Sequence, residues 1–372
     1  RLSGRPGDTI RFQVSSSSAC AADGSNDGVV TAKLTRCICS DPNPSGPGCI
    51  EEDASEWFPP RQFEGRHQPI RNGSHARTRD PIRVPETTHR ASVEIWMFPT
   101  HVPKAKEGDG GHAAVQCVWD WGELGLYLKP DGRLAVRYGS GKWISSDAAD
   151  DDDEQHPRVD SPLLPRKWYR VMAVIGKSNR EGNDCYCELD VTRQEKASKE
   201  ERRIMHAQIT LRNAHGDLGP SMIPTDAHFE LAAGGTFNGR LENPKIEIRD
   251  ETTGLVASRP LISWDTSKNM TEWSVPSDDC VSAQRDNPLV LHNHPTRAAR
   301  GRLWDGTEFA WKHEPSHYGG IHFHSDDIYD FDWDCDMEWT IPRGIPSGIY
   351  IMRLINEQCH EETLPLFICP PL

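Results

Sequence analysis

From residue 91 to about 250 apolar and polar positions trade places over short runs, divided by glycine, proline and asparagine. ASVEIWMFP (91–99), AAVQCVWD (113–120), KWYRVMAVIG (167–176), CYCELDVT (185–192) and AQITLRN (207–213) read as strands. GLYLKPDGRLAVRYG (125–139) contains two alternating runs around KPDG (129–132), which predicts a hairpin. HFELAAG (228–234), FNGRLENPKIEIRD (237–250) and PLISWD (260–265) continue the rhythm; only SKEERRIMHA (198–207) predicts a helix. Strands at this density fit an antiparallel sandwich of jelly-roll type.

The ends of the chain carry a second pattern. TIRFQVS (9–15) alternates Ile10, Phe12 and Val14 with polar neighbours, and GVVTAKLTRCICS (28–40) predicts a further strand. DPNPSGPG (41–48) then breaks all regular structure, with three prolines and two glycines in eight residues. Near the other end DMEWTIPRGIPSGIYIMRLI (336–355) and ETLPLFICP (362–370) predict three strands, too few for a stable sandwich alone. Joined to the two N-terminal strands they complete one. The expected fold is all-β: a discontinuous Ig-like sandwich with a larger sandwich inserted between its halves. The expected segments are first strands and a Pro/Gly loop (1–50), an irregular connector (51–87), the large sandwich (88–266), a linker (267–303) and the remaining strands (304–372).

Length and composition agree with this division. A chain of 372 residues exceeds one ordinary core and suits two domains, and 30 glycines with 28 prolines favour strands and loops over helices. The net charge of −14 repels phosphate backbones, which excludes nucleic acid as a partner. The longest apolar run, YRVMAVIG (169–176), falls far short of the ~20 residues that span a bilayer, so no membrane association is expected. Eleven cysteines include two C-x-C pairs, Cys37/Cys39 and Cys185/Cys187, and no C-x-x-C. In a strand such a pair points to one face as small buried hydrophobes, which favours free thiols and a reducing, cytoplasmic setting. The sequons NGS (72–74) and NMT (269–271) argue the other way. The chain opens at Arg1 with no signal peptide, and both ends are expected to lie inside a longer protein.

Candidate chemistry concentrates in YGGIHFHSDDIYDFDWD (318–334). On a strand, His322 and His324 face together while Ile321 and Phe323 face the core. Two imidazoles so placed could ligate a transition metal, with Asp326 or Asp327 supplying oxygen; alternatively both histidines bond to aspartates and fix a loop. DFDWDCDMEWTI (330–341) alternates acid and apolar residues, which as a strand lines Asp330, Asp332, Asp334, Asp336 and Glu338 along one face; the first half could instead be loop. Such a face needs solvent, a cation such as calcium, or a basic partner. DAADDDDE (147–154) reads as a solvated loop tip that could also take calcium. Trp96, Trp119, Trp121, Trp143 and Trp168 could stack on a sugar but are better explained as packing. There is no G-x-S-x-G elbow and no H-E-x-x-H.

Taken in order, GDTIRFQVS (7–15), DPNPSGPG with the following EE (41–52), FNGRLENPKI (237–246), ISWD (262–265), WDG (304–306), YGGIHFHSDD (318–327) and SGIYIMRL with PLFICPP resemble the large (beta) subunit of N,N-dimethylformamidase, in its N-terminal half. The resemblance implies a lectin-like (laminin-G or pentraxin-like) jelly-roll inserted in an Ig-like sandwich. It implies hydrolysis of small N-substituted amides by a mononuclear iron, held by tyrosines and a glutamate, in a C-terminal domain expected after Leu372. No iron ligand of the family maps onto this chain, and no cofactor is expected within it. The implied role is non-catalytic: docking, substrate access and assembly, with the catalytic domain, a small subunit and further copies of the chain as partners. His322, His324, Asp326, Asp327 and Asp330 are then the candidates for the docking surface, and His322, His324 and Asp326 the candidates for a metal. The alternatives are a stand-alone lectin-like module for glycan or protein, or a metalloenzyme centred on His322 and His324.

Overall fold

The computed structural model describes residues 2–16, 28–102, 115–138, 142–145, 162–177, 185–194, 201–211, 223–250, 259–278 and 286–371. The strands form several sheets, antiparallel throughout except where Ser3–Gly4 runs parallel to Phe367–Ile368. The chain divides into two units: residues 1–70 with 330–372, and residues 71–329.

In the first unit Val29–Ser40 pairs with Gly348–Asn356, which pairs in turn with Glu361–Ile368. Cys49–Asp53 and Arg61–Glu64 both pair with Val29–Ser40, making a six-stranded sheet with Ser3–Gly4. A separate ribbon joins Thr9–Phe12 to Met337–Thr340. The alternation that marks these strands is the reason they pack: Ile10, Phe12, Met337 and Trp339 share one core with Ala32, Leu34, Tyr350, Met352 and Leu366. Burying each large side chain stabilises by roughly 1.5–3 kcal/mol. Phe58 closes the core edge-on against Trp339, with ring centroids 5.8 Å apart.

The second unit has an eight-stranded and a nine-stranded sheet among the described residues. Their inner faces meet in one core, with Trp119, Trp121, Leu126 and Phe229 from one sheet and Val93, Ile95, Val171, Leu241 and Phe323 from the other. Phe229 stacks on Trp264 across it at 5.5 Å. The KPDG turn forms: Gly132 N–H donates to Lys129 O at 2.9 Å, and Gly132 takes the positive φ of 82° that favours glycine. Trp96, Trp119 and Trp121 are buried and unavailable to a sugar.

Several expectations differ from what is observed. The helix expected at 198–207 is absent; Glu201–Leu211 is a strand paired with Cys185–Gln194, because an open sheet edge outweighs a weak helical preference. The connector 51–87 is not irregular. It contributes two strands to the first unit and His75–Thr78 and Ile82–Arg83 to the second. The linker 267–303 carries the short strands Ser274–Val275, Ser277–Asp278, Leu289–His292 and Thr296–Ala299. The crossings between units fall at 70/71 and 329/330, away from the expected boundaries. Cys37 and Cys39 are half-exposed free thiols rather than core residues, because the pairing register shifts between them. Among the described residues no helix is long and apolar enough to cross a membrane. The acidic block at 147–154 lies outside the described residues.

Candidate functional site

His322 sits on the strand Gly320–Phe323, opposite Arg240 on one side and Thr296 on the other. Ile321 and Phe323 are fully buried, which turns His322 to the outer face of the nine-stranded sheet. His324 follows just past the strand, its ring 4.0 Å from that of His322. Its Nδ1 lies 3.1 Å from Asp327 Oδ2, within hydrogen-bond reach. Ser74 Oγ donates to the same carboxylate oxygen at 2.7 Å and accepts from the His324 amide at 3.1 Å. Gly73 N–H donates to Asp327 O at 2.8 Å, and Asn72 Nδ2 to Ser325 O at 3.0 Å. Residues 72–74 are thereby stitched to 324–327.

Nε2 of His322 is buried without a hydrogen-bond partner. Burial, then the neighbouring His324 and the Arg240 guanidinium, push its pKa down to about 4 against a smaller opposing pull from Asp327. It is therefore neutral near pH 7. Of the proposed metal ligands, His322 and His324 come together, while Asp326 is exposed to solvent and Asp327 is committed to His324 and Ser74. Among the described residues no group of three or more His, Cys, Asp or Glu is arranged to hold a metal.

Asp330 is exposed and belongs to the first unit, where its carboxylate accepts the Asp332 amide at 3.1 Å. The five acids do not line one strand face, since pairing begins only at Met337. Asp336 turns inward instead. Its side chain is 4% exposed and accepts from Arg66 Nε (2.7 Å), the Val14 amide (2.7 Å) and Gln68 Nε2 (3.0 Å). Backbone direction decides this, and acid–apolar alternation carries no sign of it.

Sequence reasoning also passed over Glu242, which is 1% exposed on the strand Gly239–Asp250. Its Oε2 accepts the Arg302 amide at 2.8 Å. A Cβ on Gly301 would stand 2.9 Å from that oxygen, and one on Gly319 3.1 Å from Oε1, so two glycines let the chain close over the carboxyl. Burial pushes its pKa up to about 7, reinforced by Asp265 and opposed by Arg302. Around it three arginines lie over aromatic rings: Arg240 over Phe98 (5.1 Å), Arg300 over Trp304 (4.2 Å) and Arg302 over Trp96 (4.5 Å). No local signal could have found this cluster, because its members come from three separate stretches of sequence.

Fold and similarity together define a β-rich, dimethylformamidase-like chain. It is similar along its length to the N,N-dimethylformamidase beta subunit of Alcaligenes sp, with 26% identity covering 98% of this chain and 48% of that one. Against the same subunit of Paracoccus aminophilus the identity is 27%, covering 100% and 48%. The chain thus spans about half the length of these curated relatives. Residues 296–371 match the family described as N,N-dimethylformamidase beta subunit-like, C-terminal. A crystal structure of the marine PL-14 alginate lyase from Aplysia kurodai covers 45% of this chain and 72% of its own at 11% identity. Its TM-score of 0.24 is too low to assign a common fold.

Proposed function

We propose that these 372 residues are the non-catalytic part of an amidohydrolase resembling the N,N-dimethylformamidase beta subunit. The carrying observation is similarity along essentially the whole chain that spans only 48% of each relative. On this reading the first unit is an Ig-like sandwich and the second a lectin-like one of laminin-G or pentraxin kind. Hydrolysis of a small N-substituted amide then belongs to an iron-bearing region outside the matched half, and these units dock against it, shape substrate access and build the oligomer. Within the candidate docking surface His324 and Asp327 are occupied in fixing the loop, which leaves Asp326 with its exposed neighbours Ile328 (51%) and Tyr329 (70%) as contact residues in the second unit. An apolar pair beside a carboxylate suits a partner surface of mixed character.

The test uses the protein purified from its own source. The expected result is a mass well above 41.8 kDa with hydrolysis of N,N-dimethylformamide. A mass near 41.8 kDa without hydrolysis would overturn the reading. In the active protein, Asp326→Ala with Tyr329→Ala should weaken assembly or activity; if both are unchanged, that docking surface is wrong.

A further inference from the structure

Arg240, Arg300 and Arg302 gather in one place, whereas other arginines that form no ion pair among the described residues, such as Arg36, Arg61 and Arg297, instead donate to backbone carbonyls. The chain carries 56 acidic against 42 basic side chains. Arg66, Arg77, Arg137 and Arg353 all pair with carboxylates within 3.3 Å. Among the described residues the side chains of Arg240, Arg300 and Arg302 form no ion pair. Together they make one hydrogen bond, from Arg240 Nη1 to Arg300 O at 3.0 Å. A guanidinium carries five N–H donors in a planar fork.

The three belong to one patch. Trp96 and Phe98 lie two residues apart on the strand Thr88–Pro99, hence on one face of the sheet. Arg240 is opposite Phe98 in the next strand and Arg302 covers Trp96. Arg300 is tied to Arg240 through its carbonyl and rests on Trp304. The buried carboxyl beside Arg302, Glu242, gives its Oε2 to the Arg302 amide rather than to a guanidinium. His322, the cross-strand partner of Arg240, adds a nitrogen without a partner. The rings lie against the guanidinium carbons; the Nε atoms of Arg240 and Arg302 are buried, so the terminal Nη groups are the donors offered to an oxyanion.

We propose that Arg240, Arg300 and Arg302, set over Phe98, Trp304 and Trp96, form a binding site for a small ligand carrying at least two carboxylate or phosphate groups. The site uses only residues of the second unit and stands whether or not the amidohydrolase reading does.

The experiment is calorimetric titration of the purified protein at low salt with citrate and, separately, with inorganic pyrophosphate. Saturable binding of either supports the site. Citrate alone assigns a carboxylate ligand, pyrophosphate alone a phosphate ligand, and both an oxyanion site without preference. Arg300→Gln, at an exposed position, should weaken binding about tenfold, and Arg240→Gln at least as much. Arg11→Gln, in the other unit, should leave it unchanged. Each variant is checked for native circular dichroism, and if Arg240→Gln fails to fold, Arg300→Gln decides. Absence of saturable binding by both anions up to roughly 10 mM, or undiminished binding by folded Arg300→Gln, overturns the proposal.

Discussion

Among the described residues, each unit holds a deeply buried carboxyl, and the two treat it in opposite ways. In the first, Asp336 meets Arg66 directly, and Gln68 and the Val14 amide complete its shell. In the second, Glu242 bonds a backbone amide while the nearby guanidinium groups lie on aromatic rings. Desolvation penalises a carboxylate in both places. Asp336 faces a direct ion pair and two further donors. Glu242 has one amide against its burial, and its pKa climbs to about 7. The two carboxyls thus differ in the number and charge of the donors aimed at them.

Removing the carboxylate of the first centre should have the largest effect. Asp336→Ala leaves the Val14 amide and the Arg66 Nε without their acceptor, and the expected loss is about 3 kcal/mol. Hydrogen exchange read at the Val14 amide reports this locally, and its protection should fall with the stability of the first unit. Unchanged protection would mean that Asp336 is not the group holding this centre together.

Glu242 predicts a pH dependence instead. Its folded pKa of about 7 lies above the 4.5 of an exposed glutamate, so the stability linked to its protonation is fully present below about pH 4.5 and is lost as pH rises through 7. The span corresponds to about 3 kcal/mol. His75 and His322, both pushed down to about 4, act in the other direction, losing stability as pH falls from 6.5. The difference between wild type and Glu242→Gln isolates the glutamate: the variant should lack the decline between pH 4.5 and 7. Parallel stability curves for the two proteins would show that Glu242 stays ionised. A smaller, steric effect is expected of Gly301→Ala, whose methyl would stand 2.9 Å from Glu242 Oε2 and 3.1 Å from the Gly319 nitrogen. Such crowding costs about 2 kcal/mol in thermal or urea unfolding; no loss would mean that the backbone closes over Glu242 less tightly than described.

How much of this could be read from sequence follows from how local each feature is. The strands TIRFQVS and IYIMRLI announce themselves because one face is buried and period-two alternation records it. CIEED (49–53) has no buried face, so its place in the six-stranded sheet left no mark. The charges at the start of SKEERRIMHA suggested a helix, and only the free edge of Cys185–Gln194 makes the segment a strand. The site shows the same limit. The i, i+2 spacing was enough to put His322 beside His324. Which of two adjacent aspartates enters the loop depends on Ser74, 253 residues from Asp327, and no local pattern contains that. Arg240, Glu242 and Arg302 are likewise joined only by tertiary packing, so the arrangement that distinguishes the second unit was illegible.

The smallest expected effect is the sharpest probe of the contrast between the two centres. Asp334 also bonds Arg66, at 3.2 Å, but its side chain is 80% exposed. Its contacts with Gln68 run through backbone atoms, the amide accepted by Gln68 Oε1 at 2.8 Å and the carbonyl accepting from Nε2 at 3.2 Å, and alanine keeps both. Asp334→Ala should therefore cost no more than about 0.5 kcal/mol, with that small loss shrinking further in high salt. Asp334 and Asp336 share the same arginine two residues apart, but only Asp336 is buried and also accepts from the Val14 amide and Gln68. If Asp334→Ala proved as damaging as Asp336→Ala, counter-charge around Arg66 rather than satisfaction of buried donors would be what holds the first centre. The contrast with Glu242 would then have to be rebuilt on charge alone.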